Sequence, residues 1–192
     1  MAVQEINAII LAGGKNSRMS GQDKAFLEIE GQPIIERLIG KLKLLVNKII
    51  VVTNSPEKYS GFDCLLVKDD LPGLGPLMGI YSGLKFSSEM YNFICACDMP
   101  FLNPGLAKYM IEQRENYDVL VADVEGKLHP LFGIYSKNCI PVIEELLKQN
   151  ILNVRSLFPK VKSRFIKKEE LKKFDPELLS LVNINTREEL RM

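Results

Sequence analysis

The sequence predicts an α/β fold in three α/β/α layers, with a Rossmann-like, mostly parallel sheet covered by helices on both faces. Two features of the chain lead there. Apolar runs of strand length alternate with segments of helical periodicity from one end to the other, the pattern of a layered fold. The first apolar run breaks abruptly into a polar, glycine-containing loop, as a strand does when it delivers a loop to a ligand at the carboxyl edge of such a sheet. The 192 residues, 46% of them apolar, suffice for one core, and neither repeats nor Gly/Ser-rich linkers divide them. The expectation is a single domain over residues 1–192.

Strands are predicted at residues 7–11, 48–53, 64–68, 93–97, 118–124 and 131–135, each a short apolar run bounded by polar or turn-forming residues. Pro33 suits a first helical position, with its fixed φ and missing N–H. From there to about residue 45, Ile34, Ile35, Leu38, Leu42 and Leu45 fall on one helical face. A second helix is predicted from Gly75-Pro76 to about Phe86. A third starts with Asn103 as N-cap and Pro104 as first helical residue. The segment 141–149 turns Val142, Ile143, Leu146 and Leu147 inward. After it the pattern loosens, and the lysines of residues 160–173 read as a solvated face, a cofactor-docking patch being the sharper alternative.

Charge and composition exclude several classes of function. Lys and Arg number 25 against 24 Asp and Glu, and a net charge of +1 offers no general attraction to nucleic acid or anionic membrane. No apolar run approaches membrane-spanning length, and Met1-Ala2-Val3-Gln4-Glu5 lacks the regions of a signal peptide, so a cytoplasmic location is expected. The cysteines Cys64, Cys95, Cys97 and Cys139 form no C-x-x-C pair and are expected as thiols. Cys95 and Cys97 stand two apart on a strand and read as core side chains of one face. A single histidine leaves a zinc site without a ligand set.

Polyanion binding must then be local, and the loop that begins at Gly13-Gly14 is built for it. Glycine lets backbone N–H groups approach an anion closely, while Lys15, Arg18 and Lys24 add three cations to meet different phosphate oxygens. The spacing is neither the dinucleotide fingerprint G-x-G-x-x-G nor the P-loop G-x-x-x-x-G-K-[ST]. Ligands of such sheets sit outside the carboxyl ends of the strands. That rule selects the first loop, Asn54 after the second strand, Asp69 and Asp70 after the third, and Asp98 after the fourth. Asp98 leaves a buried run and enters a Met99-Pro100 turn, a place suited to a hard cation. Mg²⁺ needs no more than one or two protein carboxylates when phosphates supply the rest.

Leu11-Ala12-Gly13-Gly14, Arg18-Met19 and Asp23-Lys24 resemble the signature L-A-G-G-x-x-x-R-M-G-x-x-D-K of nucleotidyltransferases that activate a phosphate with an NTP. The double glycine and the Asp-Lys pair are most similar to the molybdenum cofactor guanylyltransferases, with Ser20 standing where that family usually has glycine. Further echoes are an aspartate ahead of Gly75-Pro76-Leu77-Met78-Gly79, the segment Cys97-Asp98-Met99-Pro100-Phe101, the element His129-Pro130-Leu131-Phe132-Gly133-Ile134-Tyr135, and the closing Asn183-Ile184-Asn185-Thr186. The family often has two asparagines after the second strand, where this chain has Asn54 alone.

The resemblance implies the nucleotide-diphospho-sugar transferase type of sheet and transfer of GMP from GTP to molybdopterin with release of pyrophosphate. It implies Arg18 and Lys24 on the phosphates and Mg²⁺ on Asp98. It places Leu11, Ala12, Gly13, Gly14, Lys24, Asn54, Asp69 and Asp98 at the nucleotide, with Asp69 on the guanine or the ribose. His129 and the Asn183 segment are assigned to the acceptor side, where His129 contacts the pterin or packs structurally. Proteins that deliver molybdopterin, or that receive the finished cofactor into a molybdoenzyme, are the implied further partners. The rival readings on the same fold are a molybdopterin cytidylyltransferase and a sugar-phosphate nucleotidyltransferase, although the latter usually reads L-A-A-G-x-G-T-R in the first loop. A non-catalytic nucleotide-binding protein would be expected to lack the loop lysine or the metal aspartate, and this chain has both.

Overall fold

Six consecutive buried residues, Ile6–Leu11, form β1 at the centre of the sheet, where a strand covered on both faces has no polar side to show. The computed structural model describes residues 5–13, 18–19, 22–69 and 73–184. After β1 come two short hairpins, Arg18–Met19 (β2) with Gln22–Asp23 (β3) and Glu28–Ile29 (β4) with Gln32–Pro33 (β5). They are followed by α1, Ile34–Leu42, and then by β6 (Ile49–Val52) and β7 (Leu65–Val67). Helix α2 (Pro76–Phe86) leads to β8 (Tyr91–Ala96), and α3 (Pro104–Glu112) to β9 (Val119–Val124). The chain continues through β10 (Lys127–Ser136), α4 (Cys139–Lys148), β11 (Ser163–Lys167) and the short α5 (Lys168–Leu171).

The main sheet has seven strands in the order β11-β9-β10-β8-β1-β6-β7. Strands β7, β6, β1 and β8 are mutually parallel, β10 is antiparallel to both β8 and β9, and β11 is parallel to β9. Six of the seven therefore share one carboxyl edge, and β10 alone starts there. Alternate residues of β1 serve opposite faces. Ile6, Ala8 and Ile10 pack with Ile35 and Leu38 of α1 and Leu106 and Met110 of α3, whereas Ile9 and Leu11 pack with Ile80 and Leu84 of α2 and Ile143 of α4. Helices thus cover both faces, as the alternating apolar runs predict.

Two expectations need correction. Pro33 does not enter the first helix; it pairs in β5 and serves as N-cap, and the helix stops at Leu42 because the N–H groups of both Leu45 and Val46 turn back onto the Leu42 carbonyl. The lysine-rich stretch 160–173 is not merely a solvated face. It holds the edge strand β11 and α5, since Ile166 and Leu171 are fully buried and Phe165 stacks edge-on against Phe158 at 5.7 Å. Charged residues around those anchors mask the strand in the sequence and suit an exposed sheet edge in the structure.

The reversed strand also departs from the short prediction at 131–135. β10 is ten residues long, and between the pairs His129↔Ala122 and Gly133↔Val121 it bulges away from β9. Tyr135, fully buried, donates its hydroxyl to the Pro130 carbonyl at 2.6 Å and so ties the bulge back onto its own strand. Gly133 is required by space: a Cβ there would lie 2.5 Å from the Leu120 carbonyl oxygen and 2.6 Å from Val121 Cγ1. Gly133→Ala is accordingly expected to destabilise the protein by about 1–3 kcal/mol, as overpacking against backbone does. Denaturant unfolding reads this directly, and an unchanged midpoint would show that the β9–β10 pair can part without cost.

Candidate functional site

β1 and β8 run in register, Leu11 opposite Ala96, so the chain leaves both strands at one place. The Cys97 N–H still donates to the Leu11 carbonyl at 3.1 Å, and the Ala12 N–H to Val52 at 2.9 Å; beyond these bonds the chains diverge as Ala12-Gly13 and as Asp98. The first loop returns through β3 to a 3₁₀ turn, Lys24–Phe26, capped by Asp23, whose Oδ1 accepts from the Ala25 N–H at 3.3 Å. From this turn Lys24 reaches back, and its Nζ stands 3.9 Å from Asp98 Oδ2. Lys24 is 7% exposed. A side chain with this much stem and charge is seldom so enclosed without a partner.

The last described segment closes the same spot. Asn183 Nδ2 donates to Asp98 Oδ1 at 2.8 Å, and the Ile184 N–H donates to the Asp98 carbonyl at 2.8 Å. Three remote parts of the chain thus meet on one carboxylate. At 3.9 Å the ammonium and the carboxylate face each other without the 2.7–2.9 Å contact of a tight charge-assisted bond.

Burial pushes the Asp98 carboxyl above its ordinary value, against the opposing pull of Lys24 and of the Asn183 hydrogen bond. Its folded form therefore favours the proton more than its unfolded form does. Its contribution to stability is fully present below the ordinary carboxylate range and is lost as pH rises through the elevated value. Ionising this acid therefore works against the fold.

The other sequence candidates line the same edge. Asn54, exposed after β6, has its amide nitrogen 3.8 Å from where a Cβ on Gly13 would stand, so the two positions face each other across the β1–β6 junction. Asp69, half-buried after β7, lies over the start of α2: its Oδ1 accepts from Ser82 Oγ at 3.5 Å and is 3.8 Å from where a Cβ on Gly79 would stand. Leu11 and Ala12 are buried where β1 ends. The Arg18 backbone pairs with Asp23 in the β2–β3 hairpin, while the Arg18 side chain, Gly14, Lys15, Asp70 and Asn185 lie outside the described residues.

Asn183, assigned to the acceptor side from the sequence, bears directly on Asp98. Sequence reasoning also misses Tyr59, Ser82 and the pair Asp123–Lys167. At 2.6 Å, the Lys167 ammonium holds the Asp123 carboxyl below its ordinary range, and Asp123 Oδ1 accepts from the Gly126 N–H. An acid directly after the apolar run Val119-Leu120-Val121-Ala122 is the signal that exposes Asp98, and it applies equally to Asp123. Half-buried His129 stands on the antiparallel strand nearby. Burial, then the charges of Lys127 and Arg155, lower its pKa, and Asp123 opposes them.

Among the described residues no group of three or more His, Cys, Asp or Glu side chains is placed to hold a metal ion. The acceptable cation is then one that takes a single carboxylate and fills its remaining positions with phosphate and water oxygens. Mg²⁺ fits that description and Asp98.

Residues 8–164 match the family described as MobA-like NTP transferase domain. A molybdenum cofactor guanylyltransferase of Desulfosudis oleivorans is 37% identical over 186 residues, covering 96% of this chain and 92% of that protein. A probable molybdenum cofactor guanylyltransferase of Clostridium perfringens is 38% identical over 187 residues, with 95% and 93% covered. The crystal structure of molybdopterin-guanine dinucleotide biosynthesis protein A from Archaeoglobus fulgidus superposes with a TM-score of 0.82 over 96% of this chain and 95% of that one, at 24% identity, and shares the fold.

Removing the Asn183 amide takes away a donor that favours ionised Asp98, so Asn183→Ala is expected to move the Asp98 titration further upward. Carbon-13 NMR of the side-chain carboxyl follows this, and a midpoint that stays or falls would deny the hydrogen bond its electrostatic effect.

Proposed function

The chain belongs to the MobA-like NTP transferases and, among them, to the molybdenum cofactor guanylyltransferase family, and on that footing we infer that it transfers GMP from GTP to the terminal phosphate of molybdopterin, releasing pyrophosphate. The observation that carries the inference is the enclosed Lys24 facing Asp98 at 3.9 Å, at the edge where the glycine loop emerges. The cytidylyl and sugar-phosphate readings are not favoured, since the relatives carry the guanylyltransferase name.

The reaction is a single displacement. An oxygen of the pterin phosphate forms a bond to the α-phosphorus, the bond from that phosphorus to its bridging oxygen breaks in line, and pyrophosphate leaves with the electron pair. The nucleophile is already anionic, so no strong base is needed, and the enzyme's task is to bring two anions together. Two like charges about 4 Å apart repel by about 4 kcal/mol at a surface-like effective dielectric. Lys24 answers that repulsion directly, and its burial strengthens the effect by keeping water from screening it. Gly13 admits the nucleotide to the backbone, with Asn54 beside it. Asp69, over the start of α2, offers an acceptor to guanine N–H donors or to a ribose hydroxyl.

Asp98 is the residue that would hold Mg²⁺, which would supply positive charge to offset that of the reacting phosphates. Asn183 orients the Asp98 carboxylate by occupying Oδ1, leaving Oδ2 toward Lys24. His129, its pKa lowered by burial, presents a neutral ring at neutral pH and serves the acceptor as a hydrogen-bonding group. No helix among the described residues is long and apolar enough to cross a membrane.

Incubation with each NTP, Mg²⁺ and molybdopterin, following pyrophosphate, is expected to give release with GTP; equal release with CTP, or release with a sugar phosphate alone, would overturn the assignment. Lys24→Ala is expected to lower kcat/KM about 10²–10³-fold, the range for removing one preorganised donor from a developing charge. Full activity in a folded variant would take Lys24 out of the mechanism. Because Asp98 must be ionised to act and its pKa is raised, the acid limb of kcat/KM is expected to have its midpoint above 3.8. Asp98→Asn should abolish that limb along with most turnover, and a limb that survives in the residual activity belongs to another group.

A further inference from the structure

A turn that aims a buried ammonium at a buried carboxylate needs something to fix its own backbone. The residues on either side of Lys24 are both held by Tyr59. This side chain comes from the 3₁₀ turn Pro56–Tyr59 after β6, and it is fully buried. Its hydroxyl donates to Asp23 Oδ2 at 3.2 Å, on the near side of Lys24. Its ring packs against Phe26, two residues beyond Lys24, with centroids 5.0 Å apart, and both rings meet Phe62, at 6.5 Å and 6.2 Å.

Just after β6, buried Thr53 accepts through its Oγ1 from the Ser55 N–H at 3.2 Å. Tyr59 thus ties the segment that follows β6, where Asn54 stands, to Asp23. The same aspartate caps the turn through Ala25 and lies 3.9 Å from the Lys58 ammonium. A core that needed volume alone would be served by phenylalanine, as it is at the two neighbouring positions. Burying a hydroxyl is unfavourable unless it is hydrogen-bonded, and here its bond is made to Asp23, beside Lys24.

We propose that Tyr59 is a positioning residue of the transfer reaction, a buried phenol that grips the turn on both sides of Lys24 and so keeps its ammonium facing Asp98. The proposal rests on the reading of Lys24 as a phosphate-binding cation. Tyr59 does not touch the substrate; it acts through Lys24. Tyr59→Phe keeps the ring packing and removes the bond to Asp23, which leaves the turn free to shift and the ammonium less enclosed.

Two measurements test it. Turnover of Tyr59→Phe is expected to fall about tenfold in kcat/KM for GTP, as for a misplacement remote from the chemistry, with KM for molybdopterin unchanged. In the Lys24→Met background the same change is expected to add nothing. An equal fall in both backgrounds, or none in the parent, would overturn the proposal. The second readout does not depend on activity: brief acetic anhydride labelling, read by mass spectrometry, is expected to modify Lys24 several-fold faster in Tyr59→Phe than in the parent. Lys41 and Lys137, anchored elsewhere on Pro100 and Ser87 carbonyls, should label as before. Unchanged Lys24 labelling would also overturn it. Should Lys24→Met retain full turnover, the transfer mechanism through Lys24 fails, and the labelling result alone decides whether Tyr59 holds the turn.

Discussion

Everything in this structure that bears on function depends on one electrostatic constraint, the confrontation of a buried ammonium and a mostly buried carboxylate that do not quite touch. Lys24 and Asp98 are brought to 3.9 Å from parts of the chain more than seventy residues apart. Neither would be stable in such enclosure alone, because an unpaired charge taken from water has no compensating partner. At 3.9 Å the two charges face each other without the contact of a tight charge-assisted hydrogen bond.

The fold can be understood as the apparatus that sets this separation. Parallel pairing of β1 with β8 fixes where Asp98 emerges relative to Gly13, and the register is maintained past the strand ends by the Cys97 and Ala12 backbone bonds. The carboxyl-terminal return, which carries Asn183, is anchored by buried Asp175. Asp175 accepts from the N–H groups of Leu179 and Ser180, and the Ser180 hydroxyl accepts from the Asn103 N–H at the start of α3. A segment without regular structure is thereby held firmly enough to place one amide on one carboxylate oxygen. Burial holds the Asp98 carboxyl above its ordinary value, so its ionised form works against the fold.

Much of this was legible in the residues themselves. Continuous apolar runs such as Ile9-Ile10-Leu11 can be strands covered on both faces, and polar residues immediately after them mark the ligand edge; that logic finds Gly13, Asn54, Asp69 and Asp98 without coordinates. It fails where the determining interaction is long-range. Asn183 lies 85 positions from Asp98, and nothing local distinguishes it from a loop asparagine. Tyr59 reads as an ordinary turn aromatic until Asp23 and Phe26 are seen beside it. β11 is hidden because an edge strand can satisfy its buried side with Ile166 while its other residues stay charged, so that neither alternation nor a continuous run appears. The early end of α1 is a matter of backbone turns at Leu42, on which side-chain periodicity is silent.

A co-crystal structure with Mg²⁺ and a GTP analogue that cannot be cleaved between its α- and β-phosphates tests the central claim most directly. The account predicts that the triphosphate lies between the Lys24 ammonium and the Asp98 carboxylate, with the α-phosphorus within reach of both and the base toward Asp69. A nucleotide bound with its phosphates away from that pair, and the Lys24–Asp98 separation undisturbed, would contradict it.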